Sequence, residues 1–253
     1  MNRNVIITGA SSGIGRQLAF ELAARGDDLV LAARRIDTVE EIARDIRAKH
    51  PERKVESRAL DVTRYADVFK LVDDEAKRLG RVDLIVANAG IGSNGLIGMG
   101  HFDADRKTIE TNVIGAMATI DAAIALFRHQ NSGHLVVISS VAAFRGLPGS
   151  GSYSASKAAI ATYTDSARVE VHGTPIKVTT LYPGYIDTPI NQDMGDARPF
   201  LIDVGKGAKI IADLIDRGVQ ESTVPVWPWN VVGRVLKMLP TSALAKQLKP
   251  RKR

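Results

Sequence analysis

The chain has 253 residues, 45% hydrophobic, 25% charged and 5% aromatic, an ordinary globular composition at a length that suits one large domain. It has no cysteine, which excludes disulfides, thiolate nucleophiles and sulfur-ligated zinc. No apolar run approaches the roughly 20 residues of a membrane-spanning helix, so a soluble, cytoplasmic protein without a metal centre is expected. The net charge of +6 belongs to the tail: Ser222 to Arg253 carries seven basic residues and no acid. The remaining 27 basic and 28 acidic residues leave the body at −1, without the basic face that nucleic acid requires.

Short β-branched runs alternate with longer amphipathic stretches. Strands are predicted at Val5 to Thr8, Asp28 to Ala33, Lys54 to Leu60, Leu84 to Ala87, Leu135 to Ser139, Lys177 to Leu181 and Thr223 to Val226. Helices are predicted at Ile14 to Arg25, Thr38 to Lys49, Arg64 to Leu79, Phe102 to His129 and Tyr153 to His172. Several strands are apolar on both faces, the pattern of a buried parallel sheet. The expected fold is α/β: a doubly wound parallel sheet of about seven strands with helices on both faces. It forms one domain over residues 1–226, followed by a basic amphipathic extension over 227–253.

The first strand runs into Thr8-Gly9-Ala10-Ser11-Ser12-Gly13-Ile14-Gly15 and then directly into a helix. Glycines allow a tight turn and close backbone approach to a pyrophosphate, and the helix start offers unpaired N–H donors. This context makes Gly9, Ser11, Ser12, Gly13, Ile14 and Gly15 candidate nucleotide-binding residues. The second strand ends in Arg34-Arg35, where an NAD site usually has an acid for the ribose 2′-hydroxyl. Two guanidiniums there favour NADP through charge-assisted bonds to a 2′-phosphate.

Tyr153 and Lys157 are i, i+4 on one predicted helix, where a neighbouring cation would favour phenolate and make tyrosine a usable general acid or base. Ser140 lies at the C-terminal end of the fifth strand, the sheet edge where ligands bind. Its hydroxyl could steady a substrate carbonyl or simply cap the next turn.

In this order the pieces resemble the short-chain dehydrogenase/reductase family, whose fold is a Rossmann sheet. The match spans nearly everything ahead of the tail. It rests on Thr8 to Gly15, Asp61-Val62, Asn88-Ala89-Gly90, Asn112, Ser140, Tyr153-x-x-x-Lys157, and Pro183-Gly184 with Thr188. The resemblance implies that Asp61 and Val62 border the adenine and that Asn88, Ala89 and Gly90 support the strand beneath the cofactor. Pro183, Gly184, Ile186 and Thr188 would flank the nicotinamide, and Lys157 would grip its ribose. It further implies Tyr153 as proton donor, Ser140 as carbonyl-positioning residue and Asn112 as holder of a relay water. A homodimer or homotetramer is also implied.

The substrate side is read physically. Ile91 to Gly100 and Ala142 to Gly149 suggest an apolar pocket, and Pro189 to Phe200 a lid or a plain surface loop. Val231, Val235, Met238 and Leu239 form an apolar stripe opposite Arg234 and Lys237. The tail could therefore pack on the body or a second subunit, lie in an anionic membrane interface, or extend freely. The leading expectation is an NADP(H)-dependent oxidoreductase acting on a carbonyl or secondary alcohol of an apolar or amphiphilic substrate. The alternatives are a nonenzymatic NADP sensor and a 3-oxoacyl-carrier-protein reductase.

Overall fold

The computed structural model describes residues 2–92, 94–194 and 198–247. Ser93, the stretch from Gly195 to Ala197 and the terminal basic run from Lys249 to Arg253, all used in the sequence reading, lie outside them.

Seven parallel strands form one sheet: β1 (Asn4–Thr8), β2 (Asp28–Ala33), β3 (Val55–Ala59), β4 (Leu84–Ala87), β5 (Gly133–Ile138), β6 (Ile176–Pro183) and β7 (Glu221–Val224), in the order β3-β2-β1-β4-β5-β6-β7. Period-2 alternation sends Val5 and Ile7 of β1 to one core and Ile6 to the other. The first core is closed by α1 (Gly13–Ala24), α2 (Ile36–Lys49) and α7 (Val204–Arg217). The second is closed by α3 (Tyr65–Leu79), α5 (Ala116–Gln130) and α6 (Gly151–Glu170). Both faces are therefore covered, which is why β1 is buried except at its first residue. Chain order reverses between β1 and β4, and a crevice opens there at the C-terminal strand ends.

Three elements differ from the sequence reading. Helix α7 is absent from it, although a parallel β6–β7 pair requires a crossover. Asp203 caps its start, accepting from the Gly205 and Lys206 N–H groups at 2.7 and 3.2 Å. Strand β7 ends at Val224, earlier than expected, because Pro225 follows and has no N–H for the ladder.

The single helix expected from Phe102 is α4 (Phe102–Ile109), a π-turn (Glu110–Gly115) and α5. A Cβ at Gly115 would meet Val62 at 2.7 Å, so this turn lies tight against the chain leaving β3. By length and composition Phe102–Gln130 does pass for a membrane-spanning helix, yet 56% of its most apolar window is buried in the protein, where it carries the β4–β5 crossover.

The C-terminal helices are α8 (Trp229–Met238) and α9 (Thr241–Gln247). Helix α8 packs on the body through Trp229, 3% exposed, and through Gly233, where a Cβ would meet the Phe144 ring at 2.5 Å. The stripe singled out in the sequence faces the other way: Val231, Val235 and Met238 are exposed. A large indole buries more apolar area than valine does, and it sets the orientation of the helix.

Candidate active site

The crevice is a cleft of about 660 Å³ reaching from Arg34 at the end of β2 to Tyr153 and Tyr185. Its first half is the β1–α1 turn. Gly9 and Gly13 take φ of +70° and +54°, and a Cβ on Gly9 would lie 2.6 Å from the Ala89 backbone. Ser12, the N-cap of α1, makes no side-chain cap hydrogen bond, so the first-turn N–H groups of α1 receive no serine oxygen at the cleft wall.

Asn88 fastens β4 to this turn, its Nδ2 donating to the Thr8 and Gly9 carbonyls at 2.9 and 3.2 Å. That amide also explains Gly15, where a Cβ would sit 2.4 Å from Asn88 Nδ2. The Thr8 hydroxyl accepts from the Asn88 and Ala89 N–H groups at 3.1 and 3.3 Å.

Arg34 and Arg35 are exposed at the same end of the cleft, with no ion-pair partner among the described residues. Arg35 Nη2 donates to Ser11 Oγ at 3.0 Å, tying the end of β2 to the glycine turn. Asp61 accepts from the Thr63 N–H and hydroxyl at 3.0 and 2.8 Å, and with Val62 it lines the wall opposite.

The other half joins the ends of β5 and β6 to α6. Tyr153, in the first turn of α6, lines the cleft together with Ser140 just beyond β5, and its hydroxyl feels the Ser140 side chain. Ser140 Oγ accepts from the Ala142 N–H at 3.1 Å and makes only a long 3.4 Å bond to the Pro183 carbonyl. Capping of the next turn and a place beside Tyr153 thus coexist. Lys157, one turn along α6 and 5% exposed, donates from Nζ to the Ile138 carbonyl at 2.8 Å. Its Nζ lies 5.8 Å from the Tyr153 ring centre.

Burial lowers Lys157 to about 8 and pushes the Tyr153 hydroxyl above its ordinary value, the neighbouring Ser140 hydroxyl only partly offsetting it. Burial thus works against the phenolate that the Tyr153–Lys157 spacing favours.

Asn112 sits in the π-turn, where its side chain pairs with both backbone groups of Ile91. Oδ1 accepts from Ile91 N–H at 2.8 Å, and Nδ2 donates to Ile91 O at 2.9 Å and to Ser156 Oγ at 3.1 Å. Ile186 is 1% exposed, and Thr188 donates to its carbonyl at 3.2 Å; both reach the cleft beside Pro183 and Gly184.

Comparison with known proteins agrees with this geometry. The family model described as short chain dehydrogenase matches residues 3–199. The chain belongs to that family. It is 37% identical over 239 residues to an uncharacterized oxidoreductase of Mycobacterium tuberculosis, covering 94% of each chain. It is 35% identical over 241 residues to 11-beta-hydroxysteroid dehydrogenase 1A of Arabidopsis thaliana, covering 88% of this chain and 68% of that one. Among solved structures it resembles an alcohol dehydrogenase from Thermococcus sibiricus complexed with 5-hydroxy-NADP. The TM-score is 0.79 and identity 27%, over 88% of this chain and 96% of that one.

As a short-chain dehydrogenase the chain is an oxidoreductase, and its cleft has a wall that motif reading misses. Tyr185, beside Ile186, lines the cleft and packs edge-on against Trp229 of α8 with ring centres 5.8 Å apart; Phe200 also meets Trp229 edge-on at 5.8 Å. The Trp229 indole fills the space above Gly184, where a Cβ would lie 2.1 Å from Nε1. The only hint in the sequence is the lone small residue of Pro183-Gly184-Tyr185 and a tryptophan far downstream, with nothing in between to pair them.

Proposed function

We propose that this short-chain dehydrogenase is an NADP(H)-dependent oxidoreductase that reduces a carbonyl, or oxidises the matching secondary alcohol, on a small apolar or amphiphilic substrate. The observation that carries the reading is that Ser140, Tyr153 and Lys157, one turn along the same helix, line a cleft that also holds the glycine turn and Arg34.

The residues fit a nicotinamide dinucleotide. The glycine turn admits a pyrophosphate close to the backbone, since side chains at Gly9 and Gly15 would collide with Ala89 and Asn88. Arg34 and Arg35 offer charge to a 2′-phosphate where an acid would repel it. The similar Thermococcus alcohol dehydrogenase forms a complex with 5-hydroxy-NADP, which supports the same class of ligand. Asp61 and Val62 would border the adenine, Asn88 to Gly90 the floor, and Ile186 and Thr188 the nicotinamide end. Lys157 would direct its remaining ammonium protons at the adjoining ribose.

When bound, the dinucleotide supplies or accepts the hydride. The chain does the rest. Tyr153 would give its proton to the carbonyl oxygen in reduction and take it back in oxidation. Ser140 donates to the same oxygen as charge develops, its long bond to Pro183 being easily exchanged. Asn112 holds the backbone of Ile91 at the rim and would position a relay water beside Lys157. Ile91, Val141, Leu147 and Ile190 present apolar surface to the substrate.

The test is initial-rate oxidation of NADPH and NADH against aliphatic ketones, aromatic aldehydes, diketones and 3-oxoacyl thioesters, with Tyr153→Phe in parallel. Turnover with NADPH that the substitution abolishes while NADPH affinity persists is the expected result. Substantial turnover by the variant would remove Tyr153 from the proton transfer, and a preference for NADH would overturn the cofactor assignment.

A further inference from the structure

Helix α8 has two apolar faces, and the body covers one of them. Trp229 and Gly233 are buried against the loop after β6 and against Phe144. On the opposite face Val231, Val235 and Met238 are 42%, 48% and 84% exposed, and Trp227, just ahead of the helix, is 71% exposed. Spacing of i, i+4, i+7 aligns the three helical residues in one stripe. Arg234 and Lys237 are also exposed, and Lys237 Nζ stands 5.1 Å over the Phe144 ring, at the boundary between the stripe and the body. Single exposed apolar residues are ordinary; a stripe with an adjoining tryptophan and basic flanks is not.

Charge identifies the occupant. From Ser222 onward the chain holds seven basic residues and no acid, while the rest carries −1. A symmetric dimer through this stripe would bring two such segments together, each repelling the other. An anionic lipid surface reverses the sign of that interaction: it attracts the cations while the stripe and Trp227 enter the acyl boundary. We infer that α8 is a peripheral docking helix for anionic membranes, seated through Trp227, Val231, Val235 and Met238 and held by Arg234 and Lys237.

The test is co-sedimentation of the full chain with vesicles of phosphatidylglycerol and phosphatidylcholine in equal parts, against phosphatidylcholine alone, at low and high salt. Val235→Ser/Met238→Ser and Arg234→Glu/Lys237→Glu are run beside it, with thermal melting as the folding control. Binding to the anionic vesicles only, weakened by salt and roughly tenfold by either double substitution, is expected. Failure of the unmodified chain to sediment with anionic vesicles overturns the proposal. So does binding that survives Val235→Ser/Met238→Ser unchanged, which would reduce the contact to charge alone. Conversion of a dimer to a monomer by that variant, without vesicle binding, would assign the stripe to a second copy.

Discussion

Gly184 and Trp229 share one volume: the indole Nε1 stands 2.1 Å from where a side chain at residue 184 would begin. Gly184→Ala therefore displaces the indole, and with it Tyr185 on the cleft wall. Overpacking of this kind should cost about 2 kcal/mol in urea unfolding. In a double-mutant cycle, Trp229→Leu, which removes the three indole atoms that clash, should recover part of that loss. Additive costs would show that the two residues do not compete for the space.

Ser140 and Tyr153 line the same end of the cleft. Ser140→Ala should lower kcat for carbonyl reduction on the order of 10²- to 10³-fold, the range typical for loss of a donor to developing oxyanion charge, and leave NADPH affinity nearly unchanged. A fall confined to KM would instead mark Ser140 as a ground-state contact.

Arg34→Ala/Arg35→Ala tests the cofactor assignment directly. Loss of charge-assisted bonds to a 2′-phosphate should weaken NADPH at least tenfold while NADH, lacking that phosphate, changes little. Equal weakening of both by fluorescence titration would place the arginines elsewhere on the dinucleotide.

His134, at the far end of β5 from the cleft, governs acid stability. The Thr179 hydroxyl donates to the Val219 carbonyl, so at 2.8 Å His134 Nε2 is the donor to Thr179. Burial lowers its pKa from 6.5 to about 4. Between those values the unfolded chain holds the proton and the folded chain does not, so stability falls as pH drops through this window. The full loss, about 3 kcal/mol, is reached below pH 4. His134→Gln should remove that component, seen as a shallower decline in urea midpoint from pH 7 to pH 4.5. Identical slopes for both proteins would refute the assignment.

Sequence and structure agree most closely where a residue's chemistry and its local backbone are set together. Thr8 to Gly15 is legible because its glycines meet their own neighbours, and Tyr153 and Lys157 because one helical turn joins them. Helix α7 is overlooked because Gly205 and Gly207, weak helix formers, occupy its first turn, masking the Asp203 cap and the Ile211, Leu214 and Ile215 stripe. The π-turn at Asn112 leaves no mark in hydrophobic periodicity; it arises from packing on Val62 and the reach to Ile91. The facing of α8 depends on Trp229 finding Gly184, a pairing across 45 residues. The ionisation of Tyr153 is legible in its partners but not in its burial, and burial decides its sign.

The two-way grip of Asn112 on Ile91 has an evolutionary corollary. The glycine-rich segment that starts at Ile91 is pinned at its root by a side chain from a different element, and again where the Gly95 N–H reaches the Gly149 carbonyl at 2.9 Å. Beyond those two anchors the segment reaches Ile97, which lies against Gly151 at the start of α6, so change is best tolerated at exposed positions such as Met99 that face away from that contact. Descendants of this gene can thus vary the exposed part of one loop while its root keeps its place beside the cleft.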